Sequence, residues 1–299
     1  FFPDPENPPR GNPGGFFVAL FLRLTMHPEF HITFLHANGY PSGVYRQFFD
    51  ALSAHATLDA PEILDSAPDC PPAKRWPRML EQVSHRMRKA PSVTAAKAAK
   101  RLPHVLIGHS MGGYIALQAA ARHPEHICHV VLIDSPIPTS WRAQILNFSQ
   151  LTGLAYKAGP APIAARRRDV WPSRSAAFDF FAEKAFVKRW APGVLDDFIE
   201  HALVDCADGV TLRVPREVER DIYAHLAHRA ARMALGRLQR RGVPVSFVSG
   251  EHSEEMRMAG TLANARLFAP RFQRLPHGHL IPLEAPQACA EAVMHALKL

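Results

Sequence analysis

Hydrophobic residues in this chain fall in short unbroken runs set between longer amphipathic stretches. His31-Ile32-Thr33-Phe34-Leu35, Pro103-His104-Val105-Leu106-Ile107, Val130-Val131-Leu132-Ile133-Asp134 and Val243 to Gly250 are the clearest runs. Each is rich in β-branched or aromatic residues and bounded by turn formers, which predicts a buried strand. Pro244 stands at the start of its run, where a missing backbone donor is tolerated. Phe272 to Leu275 reads as a last strand, and Gly15 to Leu24 as an early one. Tyr45 to Ala56, Trp76 to Lys89, the stretch from Gly113 to His123-Pro124, and Ala285 to Leu297 carry helical patterning. Strands apolar throughout that alternate with helices predict an α/β chain with a mostly parallel sheet covered on both faces.

The alternation stops after Pro136. Trp141 to Tyr156, Arg174 to Lys188, Gly193 to Cys206 and Pro215 to Leu235 all read as helical, and no buried strand stands out among them. About a hundred residues between two core strands are too many for a structureless loop. The division expected is a disordered or partial leader over 1–15, a core of 16–136 and 239–299, and a helical cap over 137–238.

Composition narrows this picture. The chain has 299 residues, 47% of them hydrophobic, which suffices for one large core with an insertion. Cys70, Cys128, Cys206 and Cys289 are scattered without a C-x-x-C pair and read as reduced thiols. The net charge of +8 thickens between Lys74 and Arg101 and at Arg166-Arg167-Arg168. No nucleic-acid motif accompanies it, so it reads as a solvated basic surface. Gly15 to Leu24 is too short to span a bilayer and lacks the features of a secretory signal, which favours the cytoplasm.

The chemistry centres on Gly108-His109-Ser110-Met111-Gly112, set between a predicted strand and a predicted helix. A sharp strand-to-helix turn of this kind exposes its serine hydroxyl on a strained backbone, and the new helix aims its first amides at whatever the serine attacks. Ser110 is therefore the expected nucleophile. A serine needs a base, and His279 in Gly278-His279-Leu280-Ile281-Pro282 is the candidate, with His277 its local competitor. His109 is expected to pack or cap at the turn. His277-Gly278-His279 is an isolated H-x-H, and no H-E-x-x-H or paired ligand cluster occurs, so neither metal nor cofactor is expected.

Gly108 to Gly113, Gly278-His279 with Pro282, Glu284 and Pro286, and His36-Ala37-Asn38-Gly39-Tyr40-Pro41 together resemble the α/β-hydrolase superfamily, over roughly residues 30 to 136 and 240 to 299. The resemblance implies an α/β-hydrolase fold with an inserted helical cap. It also implies an oxyanion hole made by the Tyr40 and Met111 backbone amides. One feature departs from the pattern. The superfamily usually carries an aspartate where this chain has Ser253, and serine cannot hold a charge against an imidazolium. Asp134 ends the strand beside the nucleophile strand, about 4.8 Å away across the ladder, and is the preferred acid. Glu251 and Glu254 are alternatives.

Epoxide hydrolases and haloalkane dehalogenases of this fold use an aspartate nucleophile. Serine at that position points instead to acyl transfer. The reading is a metal-free serine hydrolase that cleaves a small or medium carboxylic ester through a Ser-His-Asp triad and an acyl-enzyme. Its partner is a small-molecule ester, with no nucleic acid and no membrane span. The aromatic residues of the cap, Trp141, Phe148 and Trp171 among them, are candidates for an acyl pocket. Carbon–carbon bond hydrolysis on the same triad is one alternative. A catalytically impaired hydrolase-fold binding protein, suggested by the missing usual acid, is another. The sequence does not fix the oligomeric state.

Overall fold

The computed structural model describes residues 28–299 except 65, 66, 68, 91 and 100, so the expected leader and early strand lie outside the described residues. Its strands are β1 (Phe30–Leu35), β2 (Ala56–Asp59), β3 (His104–His109), β4 (His129–Ile133), β5 (Val170–Trp171), β6 (Leu203–Cys206), β7 (Gly209–Leu212), β8 (Val245–Gly250) and β9 (Phe272–Leu275). Six of them form one sheet in the order β2-β1-β3-β4-β8-β9. Every ladder in it is parallel. The fold is the α/β-hydrolase fold, with helices on both faces of the sheet.

Alternation along the strands builds two cores. Val105, Ile107, Val131, Ile133, Ile32 and Phe34 point to one face and pack on Tyr45, Phe48 and the helix Pro286–Lys298. Leu106, Leu132, Val130 and Phe247 point to the other, beneath the helices Pro72–Lys89 and Met111–Arg122. Burial on both faces explains why these strands read as unbroken apolar runs. The edge strand β2 was not expected, and only its first residue, Ala56, falls within the predicted helix Tyr45 to Ala56. It has four residues, and only Ala56 is buried, so its pattern is too short and too polar to declare itself.

The segment between β4 and β8 is not wholly helical. Its helices include Ser140–Leu151, Pro160–Arg166, Arg174–Ala182, Val194–His201 and Arg216–Ala224. A small antiparallel sheet, β5-β7-β6, interrupts them. The predicted helix Gly193 to Cys206 stops at His201, and β6 and β7 follow as a hairpin. Gly209 turns the chain there at a φ of +118°. The hairpin hides Leu203, Val210 and Leu212 at alternate positions, a period-two signal only four residues long per strand.

The predicted helix Pro215 to Leu235 is two helices, broken at His225 to Ala227. The second, His228–Arg240, packs on Met111–Arg122 over the sheet, burying Ala231, Ala234, Leu235 and Leu238. The chain thus rejoins the core at His228 rather than after Leu238. Among the described residues no helix is long and apolar enough to cross a membrane.

Close backbone approach fixes the crossing of β1, β3 and the helix after Ser110. A Cβ on Gly112 would stand 2.0 Å from the Leu35 carbonyl oxygen, which is backbone and cannot step aside. Gly112→Ala is therefore expected to destabilise the fold by at least about 1–3 kcal/mol, the usual range for overpacking a rigid contact. Gly236, in the helix His228–Arg240, has only the end of the Arg240 side chain nearby, at 3.7 Å. Gly236→Ala should be neutral or stabilising by up to about 1 kcal/mol through helix propensity. Thermal unfolding of the two variants checks both signs.

Candidate active site

The site stands at the carboxyl ends of β3, β4 and β8 and beyond β9, the edge where open parallel sheets place their ligands. Ser110 follows β3 and precedes the helix Met111–Arg122. Its backbone is held at φ +51° and ψ −115°, a region that costs a non-glycine residue free energy. Its amide donates to the Ile133 carbonyl at 3.0 Å, and its carbonyl accepts from Gly113 at 3.0 Å. With the turn pinned from both sides, the side chain stays partly open above the sheet. The Met111 amide begins the helix, so it has no carbonyl one turn back to donate to.

Strand register puts Asp134 beside Ser110. His109 pairs with Ile133, so the next residues, Ser110 and Asp134, leave the ladder together. Asp134 also has positive φ, +39°, and its carboxylate is fully buried. Oδ1 accepts from the Gly250 amide at 2.8 Å. Oδ2 accepts from the Ser253 hydroxyl at 2.5 Å and lies 2.6 Å from His279 Nδ1. His279 Nε2 in turn lies 3.0 Å from Ser110 Oγ. The structure therefore brings Ser110, His279 and Asp134 into one relay of hydroxyl, imidazole and carboxylate. A relay of this form can draw a proton from the hydroxyl and hold the resulting imidazolium.

The alternative acids do not meet the histidine. Glu251 is exposed, and Glu254 turns outward to Arg257. A carboxylate the sequence reading passed over does approach it: Glu255 Oε2 is 3.6 Å from His279 Nδ1. Ser253 caps the helix Glu254–Ala259 by accepting from the Met256 amide, and this turn carries Glu255 toward the relay. The three residues after Ser253, two glutamates and a methionine, were the available hint of a helix start. Asp134, Glu255 and His279 also form a group whose ligand atoms lie within 4.8 Å of one another, the set here that could hold a metal ion. His277 does not belong to it.

His109 does more than pack. Its Nε2 lies 3.0 Å from the His279 carbonyl oxygen and its Nδ1 lies 2.8 Å from the Tyr45 hydroxyl. A carbonyl can only accept, so Nε2 carries the proton and Nδ1 accepts from Tyr45. The Tyr45 oxygen accepts in turn from the Ala37 amide at 3.1 Å. Burial, reinforced by the neighbouring His279, pushes the His109 pKa down to about 3, so it stays neutral. This chain ties the backbone of His279 to the turn after β1.

That turn engages the Tyr40 and Asn38 amides differently. The Tyr40 amide donates to the Ala37 carbonyl at 3.2 Å, closing a turn in which Gly39 has a φ of +79°. It is thereby engaged, and no acceptor meets the Asn38 amide among the described residues. His36 braces the same turn, donating from Nδ1 to the Ala37 carbonyl and accepting at Nε2 from the Leu64 amide. Burial pulls its pKa down to about 4. The segment between β4 and β8 closes over the turn. Glu219 takes the Asn38 side-chain amide on its backbone carbonyl at 3.0 Å, and its buried carboxylate faces Gly39 and Arg167. Burial raises the Glu219 pKa, and Arg167 opposes that only in part. Tyr40 packs on Trp190 and Phe198.

The expected acyl-pocket residues separate. Trp171 is fully buried against Phe180 and Phe181, whereas Trp141 and Phe148 face solvent.

The model of the alpha/beta hydrolase family matches residues 34–292. A probable 1-acylglycerol-3-phosphate O-acyltransferase of Oryza sativa subsp. japonica is 23% identical, over 89% of this chain and 67% of the rice protein. A 1-acylglycerol-3-phosphate O-acyltransferase of Arabidopsis thaliana is 29% identical, over 35% of this chain and 24% of that protein. Among solved structures, the thioesterase domain from the curacin biosynthetic pathway superposes with a TM-score of 0.65 at 17% identity, covering 90% of this chain and 91% of that one. An esterase of M. tuberculosis superposes with a TM-score of 0.58 at 18% identity, covering 92% and 86%.

The electrostatics of the relay set a pH dependence. Burial pulls the His279 pKa down, but the hydrogen bond to Asp134 and the charges of Glu255, Asp134 and Glu284 outweigh it, and the net shift is upward from 6.5. Only neutral His279 can accept a proton. Labelling of Ser110 by a fluorophosphonate should therefore rise with pH through a midpoint above 6.5. Glu255→Gln removes one of the raising charges and should move that midpoint to lower pH. A midpoint unmoved by the substitution would show that Glu255 does not act on the imidazole.

Proposed function

The chain belongs to the alpha/beta hydrolase family, and on that premise we propose that it is a serine hydrolase cleaving carboxylic esters through an acyl-enzyme. The observation that carries this reading is the relay from Asp134 through His279 to Ser110, with contacts of 2.6 and 3.0 Å. Ser110 Oγ attacks the acyl carbonyl while His279 Nε2 takes its proton. The Met111 and Asn38 amides receive the oxyanion, a role in which preorganised donors are worth several kcal/mol. His279 then protonates the departing alkoxide, water enters, and the same nitrogen activates it to release the acid. Asp134 keeps the Nδ1 proton in place and balances the imidazolium. Residues 137–238, less the helix that rejoins the core, serve as the lid that shapes the substrate space.

Ser253 suits a site whose acid comes from the neighbouring strand. It occupies the usual acid position and donates to Asp134 instead of competing with it. An aspartate there would set two carboxylates against each other, which raises the pKa of one of them.

The curated relatives favour one further possibility for the second half-reaction. Both are named as acyltransferases, and an acyl-enzyme surrenders its acyl group to an alcohol as readily in principle as to water. Product analysis with a lysophospholipid acceptor present separates transfer from hydrolysis.

Intact-mass measurement after fluorophosphonate treatment tests the nucleophile. One adduct on the wild type and none on Ser110→Ala is the expected result; no adduct on folded wild type overturns the reading. Asp134→Asn should slow ester hydrolysis by about 10³–10⁴-fold, the scale for an orienting acid. Adding Ser253→Asp to Asp134→Asn should recover at least about tenfold of that loss, whereas Ser253→Asp alone should slow the enzyme.

A further inference from the structure

Half of the large apolar side chains left in solvent come from one stretch of chain. Of the twelve such residues among those described, six lie between Trp141 and Ile163. The helix Ser140–Leu151 buries none of its residues. It presents Trp141, Ile145, Phe148 and Leu151 at helical spacing on one face, with exposures of 58%, 58%, 61% and 87%. The turn Leu154–Tyr156 packs on this helix, and Pro160–Arg166 packs on that turn, and each carries a further exposed apolar side chain, Leu154 and Ile163. Arg142 lies over the Trp141 ring at 4.5 Å and reaches Gly260, which stands between the exposed Met258 and Leu262. An apolar surface this concentrated marks an interaction site.

Charge identifies the partner. No acidic residue occurs between Asp134 and Asp169, while Arg142, Lys157, Arg166, Arg167 and Arg168 do. Arg167 is taken by Glu219, and Arg168 lies over Trp171 and Phe180. Lys157 and Arg166 face solvent. A second copy of the chain would set cations against the same cations across a self-complementary contact. Nucleic acid would match the charge and leave the apolar face unused. A bilayer of anionic phospholipid matches both, with phosphates at the level of the cations and the acyl boundary at the level of the tryptophan, phenylalanine and leucine.

We propose that this surface docks the protein on anionic phospholipid membranes, with the helix Ser140–Leu151 lying in the plane of the interface. Ser140 follows Asp134 by six positions, so the docked helix is tethered directly to the strand end that carries the site. Docking in this way neither requires nor implies a membrane-spanning segment.

Flotation of the full chain with vesicles tests the proposal. The chain should float with vesicles of equimolar phosphatidylcholine and phosphatidylglycerol, not with phosphatidylcholine alone, and less so at high salt. Phe148→Ser/Leu151→Ser should weaken binding by at least about tenfold, given the apolar area withdrawn. Lys157→Gln/Arg166→Gln should weaken it severalfold and flatten the salt dependence. Trp76, Trp171 and Trp190 are buried, so Trp141 dominates the solvent-exposed emission. That emission should shift to the blue on anionic vesicles and be quenched by brominated acyl chains, a readout on the wild type that needs no variant to fold. Absence of flotation, equal binding to both vesicle types, or binding unchanged in both double variants overturns the proposal. So does a wild-type dimer in light scattering that Phe148→Ser/Leu151→Ser dissociates, since the face is then covered by a second copy.

Discussion

A buried carboxylate organises the carboxyl edge of this sheet. Asp134 is withdrawn from water, and a charge there is tolerable only where hydrogen-bond donors replace the water. The Gly250 amide, the Ser253 hydroxyl and His279 Nδ1 supply three. Those three partners belong to the end of β8, to the cap of the helix that follows it, and to the loop beyond β9. One side chain on β4 therefore draws three later segments together. It also orients the imidazole that faces Ser110. Removing any of the three partners leaves a buried charge short of a bond, so the requirement that keeps Asp134 satisfied also keeps the relay assembled.

A second constraint acts on the other side of the serine. On the side facing His279 the turn after β1 is held by neutral groups: His36 on the Ala37 carbonyl, Tyr45 on the Ala37 amide, His109 between Tyr45 and the backbone of His279. Burial keeps both histidines uncharged through the range in which His279 titrates. The site thus separates a fixed, neutral scaffold from a single imidazole that is free to change charge.

The fold was largely legible because strands buried on both faces leave unbroken apolar runs, and four of the six strands of the main sheet have one; a fifth, β9, has no buried residue and was expected as a strand all the same. The sixth, β2, is a short edge with one buried residue, and β5 to β7 are too brief for a period-two pattern to rise above the helical background. At the site, the residues that local sequence marks by turn chemistry, Ser110 and His279, are the ones the structure sets face to face. Asp134 was legible through strand adjacency. Sequence position does not reveal that the Tyr40 amide closes its own turn. Glu255 escaped notice because its approach depends on where Ser253 starts a helix. The chain of Tyr45 and His109 joins residues 64 positions apart, which no local pattern encodes. The outward face of Ser140–Leu151 was read as pocket lining because amphipathicity says that one face is apolar, not which way it points.

The order of these parts along the chain has a consequence of its own. The turn after β1, the serine and the acid all precede residue 135, whereas the imidazole arrives after the long excursion between β4 and β8 and after two further strands. Until β9 has docked on β8, Ser110 lacks the imidazole it faces in the finished fold and Asp134 lacks one of its three partners. If the proposed activity holds, completion of the sheet works as a safety catch, since Ser110 meets His279 only in the finished fold. On the proposed reading, the hydroxyl becomes a nucleophile only when the last strand of the sheet is in place.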